Sequence, residues 1–402
     1  MKNLRSYLSV FIILVGLSAV AQETNSPKFG KGLFNLVGKD STWTMKIGAR
    51  MQFLTTNAWD LDANGDFGKA QNTFLVRRAR LKFSGFAYSP KLTYKLELGL
   101  SNKDIGGASK YTNNAPRYIL DAVVKWNFYK NFSLWAGQTK LPGNRERVIS
   151  SGNLQFVDRS KLNSNFNLDR DLGLQLRHHF NLSDKFLVRD MFSISQGEGR
   201  NITTGNLGGH QYTARVEVLP FGEFKGKGDY SGSDLKREDS PKLAIGATYN
   251  LNDKAVKNKG SQGSYMENDS AEGFYETNVN TVFVDAMFKY KGISFMGEYA
   301  NRDANKATAT DVDGTPTGDA VKKGNSINAQ VGYLFKSNWE VAGRYTTVKF
   351  NGADYATNYY TLGASKYLVG HKLKVQSDIT YNDVTGSKSG GLEYRLQFDI
   401  HF

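Results

Sequence analysis

The sequence predicts an all-β protein, a transmembrane antiparallel β-barrel of about sixteen strands. An analogy at the level of this fold adds a third outer loop folded inward. Three observations predict this fold class: a leader typical of exported proteins, repeated alternation of apolar and polar residues, and connections that alternate between short and long. Closing the sheet into a barrel gives every backbone N–H and C=O group a partner, which hydrocarbon requires.

The first 21 residues are predicted to be a secretory signal peptide. Lys2 and Arg5 form a basic start, 8–20 is an apolar run, and small residues at 19–21 form a cleavage site. The run is short for a membrane helix of about 20 residues, although an uncleaved anchor is the alternative interpretation. The predicted parts are therefore a signal peptide at 1–21, a short periplasmic segment at 22–42 and a barrel at 43–402.

The composition excludes several classes of protein. The chain has no cysteine, so a disulfide framework and thiol chemistry are excluded. After the leader, no apolar run approaches the roughly 18 residues of a membrane helix, and no helical period persists. With 41 glycines, 13% aromatic residues and seven prolines, the composition favours strands and turns. The formal charge of +14 becomes +12 when Lys2 and Arg5 are removed with the leader.

Alternation with a period of two residues is the strongest structural signal. At the C-terminus every second side chain is apolar, namely Tyr394, Leu396, Phe398, Ile400 and Phe402. The intervening side chains of 393–402 are polar, and the segment has the length of a tilted membrane strand, about 9–11 residues. Similar patterns predict sixteen strands, near 43–55, 74–87, 92–101, 118–128, 132–141, 171–179, 186–196, 211–219, 242–250, 281–290, 293–301, 326–335, 339–348, 358–367, 372–381 and 392–402.

Connection lengths favour a membrane barrel over a soluble β-sandwich or propeller, the main structural alternatives. Even-numbered connections such as 129–131 and 291–292 are short, as expected for periplasmic turns. Odd-numbered connections such as 142–170 are long, as expected for outer loops. The connection 220–241 is long where a short turn is expected, so it is either an insertion or the sign of a miscounted strand.

The polar faces of the strands predict a water-filled pore with excess positive charge. A barrel of this size leaves an aqueous lumen, and the polar row of each strand faces it. Lys46 and Arg50 lie on the first predicted strand, and Arg78, Arg80 and Lys82 lie on the second. Basic residues in a pore favour anions, and the arginine fork suits phosphate oxygens. Contact with lipopolysaccharide phosphates at the outer rim is the alternative role.

Six sequence segments resemble the phosphate-selective porin O and P family. They are IGARMQ at 47–52, VRRARL at 76–81, LDA at 120–122, AGQTKLP at 136–142 with VDRS at 157–160, and DLGLQL at 171–176. The resemblance implies a trimer of sixteen-stranded barrels, each with an arginine ladder and a central anion site. The third outer loop commonly folds inward in sixteen-stranded porins, which is an analogy at the level of the fold.

Carried over to this sequence, the implied anion site comprises Arg50, Arg77, Arg78, Asp121 and Lys140. Arg77 and Arg78 are neighbours, so their side chains face opposite sides of a strand unless a β-bulge intervenes. The residues added from the charge pattern are Arg80, in register with Arg78, and a secondary pore-lining set of Lys46, Lys82, Lys125, Arg147 and Arg159.

The expected function is passive diffusion of anions, phosphate or polyphosphate, across the outer membrane of a Gram-negative bacterium. A general nonspecific porin and an adhesin or structural barrel are the alternatives. The chain offers no phosphate-cradling loop, zinc spacing or nucleophile elbow, so an enzyme and a cofactor are not expected. The expected partners are small anions, outer-membrane lipid and lipopolysaccharide, the barrel assembly machinery and two further copies of the chain, without nucleic acid.

The first outer loop holds a weak candidate for a calcium site. Asp60, Asp62, Asn64 and Asp66 follow the spacing at the start of a calcium-binding loop. The twelfth position, where such loops carry an acidic residue, is Gln71, so the motif is incomplete. A polar turn is the alternative interpretation, and we predict no other metal site.

Overall fold

The computed structural model describes residues 27–62, 64–387 and 389–402. The predicted signal peptide lies outside these ranges, so its assignment stays a prediction. In the described part of the chain, none of the helices has the length and apolar character needed to cross a membrane.

Sixteen antiparallel strands form one closed barrel. Each overlaps one predicted strand, and their bounds are β1 (Thr44–Leu61), β2 (Gln71–Ala87), β3 (Ser89–Gly99), β4 (Ile119–Tyr129), β5 (Phe132–Lys140), β6 (Arg170–Ser183), β7 (Phe186–Ser195), β8 (Gln211–Leu219), β9 (Lys242–Ala255), β10 (Thr277–Tyr290), β11 (Ile293–Ala304), β12 (Gly324–Leu334), β13 (Trp339–Phe350), β14 (Thr357–Tyr367), β15 (Leu373–Val384) and β16 (Gly390–His401). The first and last strands pair, with Arg50 opposite His401, and this pairing closes the sheet. The predicted fold class is confirmed.

Alternation along each strand separates a lipid face from a lumen face. On β16, Leu396 and Phe398 are 40% and 39% exposed, whereas Gln397 and Asp399 are 2% and 0% exposed. Exposed apolar side chains on a closed barrel suit a hydrocarbon surround, and the buried polar row faces inward. This arrangement confirms the predicted orientation of the C-terminal strand.

Shorter elements extend the barrel at both ends. The strand Phe34–Val37 pairs with the start of β1 at the end that carries the short turns. Two small hairpins stand in the opposite, outer loops: one joins Lys257–Lys259 to Gln262–Tyr265, and the other joins Thr308–Thr310 to Pro316–Ala320. They add sheet structure to the loop end without entering the barrel wall.

The third outer loop, 141–169, lies inside the barrel. It contains two short helices, α1 (Arg145–Val148) and α2 (Lys161–Phe166). Leu162 and Phe166 are fully buried and pack against Phe283 of β10. Lumen-facing apolar side chains on the β8–β13 wall therefore have a packing partner in this loop.

The connection 220–241 also enters the lumen, from the end that carries the short turns. The Gly232 N–H donates to the carbonyl O of Asn153 in the third loop at 2.7 Å. Lys289 Nζ of β10 donates to the carbonyl O of Ser233 at 2.8 Å. All sixteen predicted strands are present, so the alternative of a miscounted strand is wrong. The connection is an insertion that packs beneath the third loop.

Candidate functional site

The two inward segments leave an open channel along the other side of the barrel. A cavity of about 680 Å³ lies between the third loop and strands β2–β6. Fourteen basic and six acidic side chains line it; the basic ones are Arg77, Arg78, Arg80, Lys82, Lys95, Lys103, Lys140, Arg147, Arg159, Lys161, Arg170, Arg177, Arg200 and Arg395. A second cavity of about 270 Å³ lies nearer the short turns and shares Arg80, Lys82 and Glu97 with the first. The two adjacent cavities together form a basic path along the lumen beside β1–β6.

A β-bulge places two neighbouring arginines on the same side of β2. Gln52 of β1 pairs with Arg78, but the next residue of β1 pairs with Val76, so Arg77 has no partner across the strands. Arg77 Nη2 and Arg78 Nη2 both donate to Asp158 Oδ1, at 3.2 and 3.1 Å. The bulge thus resolves the conflict in orientation that an unbroken strand would impose.

Asp158 joins the third loop to these two arginines. Burial alone raises the pKa of its carboxyl, but Arg78 and Arg77 outweigh that effect and hold the pKa well below its usual range. The carboxylate is therefore ionised at neutral pH, and it fixes the loop against β2.

The other predicted arginines of the ladder are also paired with carboxylates. Arg50 Nη2 donates to Asp399 Oδ2 at 2.7 Å, which joins β1 to β16. Arg80 Nε donates to Asp104 Oδ2 at 2.6 Å, and its Nη1 donates to Glu97 Oε1 at 3.1 Å. These pairs hold the guanidinium groups extended along the wall of the channel.

Asp121 bridges two basic residues of the channel wall. Its Oδ2 accepts from Lys95 Nζ at 2.6 Å, and its Oδ1 accepts from Arg170 Nε at 3.1 Å. The hydroxyl of Thr139 donates to the same Oδ1 at 3.0 Å. With both oxygens occupied, Asp121 orients cations around it and is not itself a group that receives an anion.

Lys140 and Arg159 are bound by carbonyl groups only. Lys140 Nζ donates to the carbonyl O of Arg147 at 2.7 Å, and Arg159 Nη2 donates to the carbonyl O of Ile149 at 2.7 Å. Within the described ranges, neither side chain forms a salt bridge. Burial lowers the pKa of Arg159, and nearby Arg147 and Arg78 lower it further. Glu146 and Asp169 offset part of the charge of Arg159 from a greater distance, and no described carboxylate pairs with it directly.

The indole ring of Trp135 holds two further cations of the channel wall. Lys125 Nζ lies 3.6 Å from the ring centre of Trp135, and Arg177 Cζ lies 3.9 Å from it. A cation over an indole ring is stabilised without loss of its charge. Trp135 lines the larger cavity, although the sequence pattern gave no reason to select it.

The structure places most predicted pore residues together. Of the secondary set, Arg147 and Arg159 line the larger cavity, Lys46 lines the smaller one and Lys82 lines both. Lys125 lines neither cavity and reaches the path only through Trp135. The carboxylates that pair with the ladder were not predicted as a group, because their positions depend on contacts between distant parts of the chain.

A buried ion network fixes the third loop to the opposite wall. Arg145 is fully buried, with Nε donating to Asp285 Oδ1 at 2.8 Å and Nη2 donating to Glu217 Oε1 at 3.3 Å. Its Nη1 donates to the carbonyl O of Asp229 in the 220–241 insertion at 3.1 Å. One side chain thus connects the loop, the insertion and the barrel wall.

We predict that Arg145→Ala lowers the free energy of unfolding by about 3–5 kcal/mol, because it leaves Glu217 and Asp285 buried with one partner fewer. Urea unfolding in phospholipid vesicles measures the change. Lys161→Ala, an exposed charge on the same loop, is the matched control and should change the free energy by less than about 0.5 kcal/mol. Equal stability of the two variants would contradict the anchoring role.

The candidate calcium segment in the first loop forms a turn. Asp62 Oδ1 accepts from the backbone N–H groups of Asn64 and Asp66, at 2.8 and 3.0 Å. In the ranges that the structure describes, no group of three or more His, Asp or Glu side chains is placed to hold a metal. Calcium binding by Asp60, Asp62, Asn64 and Asp66 stays an untested prediction.

Comparison with known proteins gives one family and a set of shared folds. A family model described as phosphate-selective porin O and P matches residues 52–400. An uncharacterized protein of Aquifex aeolicus is 23% identical over 354 residues, which cover 80% of this chain and 78% of that protein.

Three solved structures, each 12% identical to this chain, share its fold. OmpF of Salmonella typhi in complex with daunomycin has a TM-score of 0.55 and covers 91% of this chain and 100% of its own. An anion-selective porin from Comamonas acidovorans has a TM-score of 0.53, with 90% and 100% covered. The outer-membrane channel DcaP of Acinetobacter baumannii has a TM-score of 0.52, with 91% and 99% covered. At this level of identity the similarity shows the fold alone.

Proposed function

This chain belongs to the phosphate-selective porin O and P family, and from that premise we propose that it is a passive channel that prefers anions, with phosphate or polyphosphate as the preferred solute. The chain is an outer-membrane porin of a Gram-negative bacterium. The excess of fourteen basic over six acidic side chains around the larger cavity is the observation that carries the proposed selectivity.

The arrangement of charge suits conduction as well as binding. Conduction requires sites that attract an ion yet release it to the next site. The carboxylates that pair with Arg78 and Arg80 reduce the net charge along the ladder. The three N–H groups of Lys140 are taken by loop carbonyl groups. Arg159 forms no salt bridge in the described part of the chain and uses only Nε and Nη2 in its hydrogen bonds there, so we assign to it the strongest anion contact. An anion would then pass to Lys82 and Lys46 near the periplasmic end.

A general nonspecific porin is the second candidate, since six acidic side chains also line the larger cavity. A porin from Comamonas acidovorans that shares this fold is named as anion-selective, which agrees with the first candidate. Planar-bilayer current in chloride distinguishes the two candidates. Saturable inhibition of the chloride current by added phosphate supports a phosphate site. If the currents of different ions are instead proportional to the mobilities of those ions in free solution, the general porin is supported.

We predict that Arg159→Lys retains anion selectivity but weakens inhibition by phosphate about tenfold. Lysine keeps the charge but loses the planar fork that binds two phosphate oxygens at once. The measurement is the concentration of phosphate that halves the chloride current.

The matched control is Lys103→Gln, which removes an exposed charge at the rim of the same cavity. It should leave phosphate inhibition nearly unchanged. If Lys103→Gln weakens inhibition more than Arg159→Lys does, the binding site lies at the rim and the assignment to Arg159 is wrong.

We also propose a homotrimer and recognition of the C-terminus by the barrel assembly machinery. The Phe402 N–H donates to the carbonyl O of Ala49 at 2.9 Å, so the last residue completes the seam between β16 and β1. Its ring packs edge-on against Phe29 with centroids 6.0 Å apart. Light scattering after mild detergent extraction tests the trimer, and a mass equal to one chain would contradict it.

A further inference from the structure

A second polar cluster lies beneath the outer loops, where β6–β9 end, and the proposed anion path does not use it. Its members are Asp171 of β6, Glu198 of the 196–210 loop, Gln211 of β8 and Asn252 of β9. Their exposed fractions are 1%, 2%, 0% and 1%. Four polar side chains, two of them acidic, are thus removed from water in one region.

Contacts around Gly197 bring the side chains of Asp171 and Asn252 together, and the charge of Asp171 acts on Glu198. The Gly197 N–H donates to Asp171 Oδ2 at 2.8 Å, and its carbonyl O accepts from Asn252 Nδ2 at 2.9 Å. A Cβ atom added to Gly197 would lie 3.1 Å from Asn252 Oδ1. Gln211 pairs directly with Asn252 across β8 and β9, and Glu198 follows Gly197 in the chain.

Several polar atoms in this cluster lack hydrogen-bond partners among the described residues: Glu198 Oε2, Asn252 Oδ1, and both Oε1 and Nε2 of Gln211. The amide Nδ2 of Asn252 is engaged with Gly197, so its Oδ1 is the atom left free. A buried polar group without a partner costs about 1–3 kcal/mol. A ligand that supplies charge to these oxygens would remove that cost.

The charge of the cluster is also unbalanced. Lys257 Nζ lies nearby, but it donates to the carbonyl O of Glu198 at 2.6 Å and lies over the Tyr265 ring at 4.4 Å. Burial raises the pKa of Glu198 to about 7, and the neighbouring charge of Asp171 adds to the effect. Lys257 attracts the carboxylates of both Glu198 and Asp171 but forms a salt bridge with neither among the described residues, so two carboxylates share one cation.

We propose that Asp171, Glu198, Gln211 and Asn252 bind a divalent cation of the calcium type and so fasten the 196–210 loop to the barrel wall. Carboxylate and amide oxygens are the ligands that Ca²⁺ prefers, whereas Mg²⁺ usually keeps several waters and demands stricter geometry. An outward-facing site of this charge suits the affinities of extracellular calcium sites, with dissociation constants of about 10⁻⁴–10⁻³ M.

Terbium luminescence of the full-length detergent-purified barrel tests the site. Tyr265 should sensitise the luminescence of bound Tb³⁺, because its ring contacts Lys257, which in turn contacts the Glu198 backbone. We expect added Ca²⁺ to displace Tb³⁺. Glu198→Gln and Asp171→Asn should each weaken binding at least tenfold. The matched control is Asp60→Asn with Asp62→Asn in the first loop, which removes the other candidate calcium ligands and should leave this signal unchanged. Loss of binding in the control alone would overturn the proposal.

The wild-type barrel is the reference for these variants. If it binds neither Tb³⁺ nor Ca²⁺ at pH 8, the proposal is wrong.

Discussion

Replacing Arg78 and Arg80 together with alanine should weaken the anion preference of the channel. The substitution removes two positive charges and also leaves Asp158, Glu97 and Asp104 without these partners beside the path. A unit charge about 8 Å from a permeating ion contributes roughly 2 kcal/mol at an effective dielectric constant of about 20. Since 1.4 kcal/mol is tenfold, we expect the ratio of anion to cation permeability to fall by at least about tenfold.

The reversal potential in a KCl gradient across a planar bilayer measures this ratio. The control is Lys91→Ala with Lys130→Ala, which removes two exposed charges at the periplasmic turns, outside the lining of either cavity. The control should keep the wild-type ratio. If both double variants keep it, selectivity does not arise from the arginines of β2 and the proposed anion channel fails.

The barrel itself could be predicted from sequence because lipid and water act on alternate residues of each strand. Val282 and Val284 of β10 are exposed to the lipid side, at 37% and 46%, as their pattern predicts. The residue between them, Phe283, is apolar but faces inward and is fully buried. A period-two pattern predicts whether a side chain faces lipid or the lumen. It does not predict which part of the chain packs against that side chain inside the lumen.

The candidate site could be predicted in part for the same reason. The basic rows of β1 and β2 follow from alternation, and the paired arginines 77 and 78 required a bulge, which the structure contains. The pairing of Arg50 with Asp399 joins residues 349 positions apart. Only the closure of the barrel brings them together, so no local pattern could reveal that the ladder is partly neutralised.

Replacing 220–241 with a two-residue Asn-Gly turn should raise single-channel conductance severalfold. Asn-Gly is a favoured connection for antiparallel neighbours such as β8 and β9. The insertion fills lumen beside β8–β11, where Tyr230 donates to Glu217 Oε2 at 2.6 Å and Asp229 pairs with Arg189. Without it, water and ions enter that half of the barrel, away from the β2 arginines. Anion selectivity should therefore decrease while conductance increases.

A point variant separates this effect from a general loss of folding. A Cβ at Gly232 would lie 2.6 Å from the backbone N of Gln155, so Gly232→Val should force the insertion away from the third loop. We expect smaller changes of the same sign, with noisier open-channel current because the third loop loses its support from below. The control is a shorter outer loop that lacks 311–315, a polar segment outside the lumen. This change should leave conductance and anion selectivity at their wild-type values. If removal of 220–241 leaves conductance at the wild-type value, the β1–β6 side alone limits the current. The insertion would then stabilise the third loop without setting the size of the pore.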